Sequence, residues 1–337
     1  MNDKPNGKLM LYLLVITAVT FVIGLILYLT GFNLFFNYLF YDNEITYAIF
    51  SVITTKILVM IFLLIIVTSW YTYDKRFAKN LAINILGSYY LASILKDTFQ
   101  DPRPPTNIKA NESGYGFPSG HAQNGAAGWG YLAYEAYHKK SKILFWIFSI
   151  LLYLIAGSRL VIGVHDLQDV WGGLTIGLIW LIIFIFIEPK VSEKLSNLSF
   201  LTKIILSIVI PVILFIIAML IFPTSTESYG LTCGALMGLS LGYIIETDKI
   251  KYEPRELTRK QKIINLVLGI LVTLILYLGL SAAFPESQIM DLFQYLILSF
   301  LLVTLVPWIF MKLSIMIKVI LIVILIVLMV LAVVFLL

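Results

Sequence analysis

Apolar residues run along this chain in long stretches, and most polar residues are gathered between them. A helix needs roughly 20 mainly apolar residues to cross the hydrocarbon of a bilayer. Runs of that kind fall at about 9–30, 46–70, 80–98, 121–138, 143–164, 169–189, 203–222, 230–246, 263–284, 291–311 and 313–337, which predicts eleven spanning helices. Only the short stretch Lys312–Lys318 divides the last two. One helix from Asp291 to Leu337 would be about 70 Å long, too long for a single crossing. The first run is longer than a signal-peptide core. It is followed by Gly31-Phe32-Asn33-Leu34 instead of a small-residue cleavage site, so it reads as a retained span. The aromatic segment Asn33–Glu44 has two open readings: an interfacial helix, or a loop with interfacial anchors.

Composition agrees with this pattern. The 337 residues are 60% hydrophobic and 13% charged, against roughly 45–50% and about 25% in soluble domains. The fold class predicted is all-α and polytopic, a six-helix core followed by about five further membrane helices. Cys233 is the only cysteine, so no intramolecular disulfide can form.

The net charge of +5 says less than its distribution. With the N-terminus on one side, nearly all of the 24 lysines and arginines fall on that same side. Only Lys96, Arg103, Lys109 and Arg159 lie opposite, with Lys56 inside the second run. The positive-inside rule makes the basic side cytoplasmic. This predicts a multi-pass protein of the cell membrane with a cytoplasmic N-terminus. The bilayer is its surroundings, no nucleic-acid partner is expected, and oligomeric state stays open. Three of the four exceptions sit in two loops close to two of the three histidines. Charges that break a topological rule in one cluster point to chemistry; anionic lipid headgroups are the plainer explanation.

Three short pieces at that outer side carry the ingredients of phosphoryl transfer. Lys96 to Arg103-Pro104 ends the third run, Pro118-Ser119-Gly120-His121 opens the fourth, and Ser158-Arg159, His165 and Asp169 join the fifth to the sixth. Phosphoryl transfer needs fixed positive charge around the phosphate oxygens, a nucleophile in line and an acid for the leaving oxygen. Lys96, Arg103 and Arg159 can supply the charge. Ser119 and Gly120 precede a helix start, whose backbone N–H groups can face an anion. His165 and Asp169 are four residues apart, so on a helix they share a face, and the carboxylate can hold one ring nitrogen while the other attacks. His121 is left as the general acid and base. No carboxylate cluster or histidine pair has metal-ligand spacing, so neither metal nor cofactor is predicted.

These pieces resemble the signature of the type-2 phosphatidic acid phosphatase superfamily, K-x6-R-P, P-S-G-H and S-R-x5-H-x3-D. The match is complete at Lys96, Arg103, Pro104, Pro118, Ser119, Gly120, His121, Ser158, Arg159, His165 and Asp169. The resemblance implies a six-span phosphatase core over 1–189, with His165 as nucleophile, Asp169 as its support and His121 as general acid. It says little about 190–337, a C-terminal membrane extension of open role. It further implies a phosphorylated lipid as substrate, with a polyprenyl diphosphate favoured. The same signature occurs in glucose-6-phosphatase, so a sugar phosphate is an alternative. Transfer of phosphate to an acceptor lipid, or lipid transport through the extra helices, are others. Transport coupled to ions usually leaves charges within the membrane, and in the later runs Lys318 is the one basic candidate.

Other polar residues have plainer readings. His138, beside Lys139 and Lys140, belongs to the opposite interface, and Glu135 is placed to pair with Lys139. Lys56 is either functional or a snorkelling or paired lysine. Asp101 is placed to orient Arg103, and Asp166 to cap the next helix. Gly172, Gly173 and Gly177 fit close helix packing. The polar loop Pro105–Phe117 selects substrate through Lys109, Asn111 or Tyr115, or is a plain surface connection.

Overall fold

The computed structural model describes residues 7–41, 43–54 and 57–336. Lys56 lies outside the described residues. Helices follow one another as α1 (Gly7–Leu29), α2 (Phe35–Phe40), α3 (Glu44–Thr54), α4 (Ile57–Thr72), α5 (Lys75–Phe99), α6 (Gly120–His138) and α7 (Lys142–Val161). They continue as α8 (Leu167–Ser196), α9 (Phe200–Ile221), α10 (Tyr229–Ile245), α11 (Arg259–Ala283), α12 (Gln288–Val303), α13 (Leu305–Lys312) and α14 (Ile315–Leu336). No strand occurs among the described residues.

Among the described residues, seven helices are long and apolar enough to cross a membrane. They correspond to seven of the eleven predicted runs. The run at 46–70 is shared between α3 and α4, and that at 313–337 becomes α14. The runs at 80–98 and 121–138 form α5 and α6, which are long enough but richer in polar residues. Those residues turn inward. Asn84 Nδ2 donates to the Ala127 carbonyl at 2.7 Å, and Gln123 Nε2 to the Ser88 carbonyl at 2.9 Å. These amide donors tie α5 to α6, so the two helices need a packed partner more than a lipid one. Helix α8 does not stop at Glu188-Pro189 but runs on to Ser196. The aromatic segment Asn33–Glu44 does form a helix, α2.

The chain divides into two compact units. The first comprises Met1–Phe62, Ile83–Asn197 and Phe222–Glu227; the second comprises Leu63–Ala82, Leu198–Ile221 and Ser228–Leu337. In the first, α6 packs on α7 and α8, α8 on α1, and α2 and α3 on α7. Gly173 and Gly177 of α8 let it lie against α6: a Cβ on Gly177 would sit 2.3 Å from the Gln123 carbonyl oxygen, and one on Gly173 2.7 Å from that of Ser119. This close approach brings the starts of the two helices together. Glu135 pairs with Lys139 at 3.8 Å as their spacing predicts.

In the second unit α10 packs on α9 and α12, and α11 on α12 and α14. A buried polar chain runs through it. Lys318 Nζ donates to Asn265 Oδ1 at 2.9 Å, Asn265 Nδ2 to the Tyr252 hydroxyl at 3.1 Å, and that hydroxyl to the Tyr71 carbonyl at 2.6 Å. Lys318 is thus held inside the unit by a neutral amide.

Candidate active site

The three signature pieces meet in the first unit, at the end of α5, the start of α6 and the turn from α7 to α8. Lys96 lies in the last turn of α5, which closes with Gln100 in a left-handed conformation. The chain then passes through Pro102-Arg103-Pro104, where proline forbids a further helical turn. Arg103 is clamped by backbone carbonyls: Nη2 donates to Ser113 at 2.9 Å and Nη1 to Val164 at 2.9 Å.

His165 sits in the short connection between α7 and α8 and is buried. Gly163 makes the turn with φ +79°, a value few other residues adopt. The Thr106 hydroxyl donates to the Gly163 carbonyl at 2.7 Å, and Asn37 Nδ2 to the His165 carbonyl at 2.8 Å. Asn33 adds three contacts: its side-chain amide reaches Asp166 at 2.8 Å, and its carbonyl and side-chain oxygen accept from Leu167 and Gln168. The segment carrying α2 therefore fixes the backbone at His165 and just after it, while Thr106 holds it just before. Asp166 caps α8, accepting from the Asp169 N–H at 3.0 Å, as its position predicts.

The ring of His165 has a defined orientation. Arg103 Nη1 lies 3.3 Å from Nε2, and Asp169 Oδ2 lies 2.9 Å from Nδ1. An arginine can only donate and a carboxylate accepts, so the ring proton belongs on Nδ1 and the lone pair on Nε2. Burial holds the imidazole well below its ordinary pKa, and Arg159, Arg103, Lys96 and His121 push it further the same way. That set of neighbours brings four other signature residues, from all three pieces, to bear on the one ring.

The predicted phosphate-binding residues come together with one change of role. The Ser119 N–H, expected to face an anion, donates to the Asp169 carbonyl at 3.0 Å. It locks the start of α6 to that of α8. What remains at the helix start is Gly120 and the half-buried His121, beside open space: a Cβ on Gly120 would meet nothing within 4 Å. N–H groups of a first turn have no partner within the helix.

Two glutamates missing from the sequence reading complete the site. Glu112 Oε1 and Oε2 lie 2.5 and 2.6 Å from Arg159 Nη2, and Oε2 lies 3.2 Å from Arg103 Nη1. Glu227 Oε1 lies 3.2 Å from Lys96 Nζ. Both residues stand in polar loops, where a carboxylate reads as solvated surface. Glu112 belongs to the loop Pro105–Phe117, yet it is not one of the three residues that looked selective. Of those, Lys109 is engaged elsewhere, with Glu44 at 2.8 Å and the Tyr41 carbonyl at 2.9 Å.

Comparison with known proteins adds to this geometry. Residues 77–193, which contain every signature position, match the PAP2 superfamily. Residues 230–318 match the transmembrane extension of PAP2 superfamily phosphatases. Together the matched segments take up more than half of the chain. The chain belongs to the PAP2 superfamily. Among its relatives are phosphatidylglycerophosphatase B of Bacillus subtilis, 28% identical over 142 residues (40% of this chain and 68% of the relative), and lipid phosphate phosphatase delta of Arabidopsis thaliana. The latter is 25% identical over 173 residues, 46% of this chain and 42% of the relative. No solved structure gives a significant match. This PAP2 chain is thus an all-α, multi-pass membrane protein, and Glu227 lies in the gap between its two matched segments.

Proposed function

We propose that this PAP2 protein is a phosphatase that releases phosphate from a phosphorylated lipid at the extracytoplasmic face, through a phosphohistidine on His165. The observation that carries this reading is the ring of His165, its Nδ1–H held by Asp169 and its Nε2 lone pair turned toward Arg103. A neutral imidazole with an orienting carboxylate is an activated nucleophile.

Substrate phosphate displaces Glu112 and takes its place between Arg103 and Arg159. Nε2 attacks phosphorus and the bond to the leaving oxygen breaks, with His121 giving that oxygen a proton. Asp169 balances the cationic ring of the phosphohistidine. Water, giving its proton to His121, then attacks phosphorus; the P–N bond breaks and inorganic phosphate leaves. Fixed cations aimed at the phosphate oxygens stabilise the charge of both transition states. Neither metal nor cofactor enters these steps.

A cationic site at the ends of apolar helices suits an amphiphile whose headgroup reaches His165 while its tail stays in lipid. Relatives named as phosphatidylglycerophosphatase and lipid phosphate phosphatase support a lipid substrate. Within that class we favour a polyprenyl diphosphate. The test is phosphate release by the purified protein in detergent from polyprenyl diphosphate, phosphatidylglycerophosphate, phosphatidic acid and glucose 6-phosphate, with and without a chelator. The lipids should be hydrolysed whether or not chelator is present, and His165→Ala should lower kcat about a thousandfold or more. Undiminished release by His165→Ala would remove the nucleophile, and loss on chelation the metal-free mechanism. Hydrolysis of glucose 6-phosphate alone would replace the lipid.

A further inference from the structure

Glu227 and Glu112 both face signature cations, but they are held very differently. Glu112 projects from a loop, and about a third of its side chain is exposed. Glu227 is 11% exposed and fixed from several directions. Its Oε1 takes Lys96 and its Oε2 accepts from the Ser93 hydroxyl at 3.2 Å. Its own N–H donates to Ser225 Oγ at 3.0 Å, and that hydroxyl donates to Asp97 Oδ2 at 2.6 Å. Ser93, Lys96 and Asp97 are spaced three and four residues apart, so they line one face of α5. The segment 222–227, which enters α10, docks along that face as part of the first unit.

A lysine is a poor fixed point by itself, being a point charge on a four-carbon stem with many rotamers. A carboxylate held as firmly as Glu227 restricts that stem and occupies one of three ammonium donors, leaving two for phosphate. Glu227 also lies in the field of Arg103 and 3.8 Å from where a Cβ on Gly114 would stand, beside the carbonyls that clamp Arg103.

We infer that Glu227 is a positioning residue of the phosphate site: it aims Lys96 at the substrate phosphate, and residues C-terminal to the catalytic segment thereby take part in phosphate binding. The inference rests on the reading of His165 given above. Glu227 acts through Lys96, remaining in place when phosphate binds, whereas Glu112 is displaced.

The test is a double-mutant cycle on the full-length protein in detergent, read as KM for the lipid phosphate it hydrolyses and as the inhibition constant of inorganic phosphate. Glu227→Gln should raise both about tenfold, the size expected for a hydrogen bond to a charged group, with a smaller change in kcat. Glu227→Asp should recover part of the loss. In a Lys96→Met background Glu227→Gln should add little, because its effect runs through the missing ammonium. Wild-type constants in Glu227→Gln, lowered constants, or a full loss that persists in Lys96→Met would each overturn the inference. So would a fall in activity that only tracks a fall in melting temperature. Should His165→Ala be inactive while Glu227→Gln behaves as wild type, this inference alone fails; an active His165→Ala removes the reading beneath it.

Discussion

Glu112 and His165 show how single residues in this site answer to their surroundings. Arg159 is fully buried, and a buried charge left without its partner costs about 3–5 kcal/mol. Glu112 supplies that partner, and in the proposed mechanism it competes with substrate phosphate. Glu112→Gln should therefore lower the melting temperature and tighten binding of inorganic phosphate several-fold. Added phosphate should also raise the melting temperature of the variant more than that of the wild type, because the anion now fills the seat. A variant that binds phosphate more weakly would show that Glu112 holds the arginines in place for substrate.

The pKa of His165 lies below the ordinary imidazole value, so the ring stays neutral and nucleophilic as pH falls through 6.5. The acid limb of kcat/KM that belongs to His165 should lie below that pH. Removing a neighbouring cation relieves repulsion of the imidazolium, raises the pKa and moves the limb toward higher pH. A pH profile of Lys96→Gln against wild type checks the sign; an unmoved limb would mean that another group sets it.

At the scale of elements, α2 turns out to be a support for the backbone of His165. The aromatic run around it reads from sequence as an interfacial segment, and its one buried polar residue, Asn37, carries the message. Asn37 is fully buried and donates to the His165 carbonyl and to Thr106 Oγ1. Asn37→Ala should leave two buried groups without a donor, costing about 1–3 kcal/mol in stability. Because it loosens the backbone of the nucleophile, kcat should fall more than KM rises. Kinetics of the purified variant check this, and a wild-type kcat would make α2 a support of the fold alone. A polar residue inside an aromatic helix was the available signal for Asn37. Thr106, in a polar loop, offered none.

Taken as a whole molecule, the chain was read best where order along the sequence carries the information. Runs of apolar residues mark its helices because a bilayer accepts no other open arrangement of backbone, and His165 and Asp169 could be paired because only four residues separate them, although His165 stands in the turn before α8 and not on the helix itself. Where a run is mixed, as in α5 and α6, the sequence read it as one more spanning helix and did not say what covers its polar residues. Packing of Asn84 and Gln123 answered that. Membrane character, all-helical class and family were thus determined by the sequence itself. Which carboxylate neutralises which cation was decided only by the tertiary structure. Glu112 finds Arg159 across 47 residues and Glu227 finds Lys96 across 131. Ion pairing depends on distance in space, and nothing in the local pattern around a loop glutamate states which buried charge the fold will bring to it.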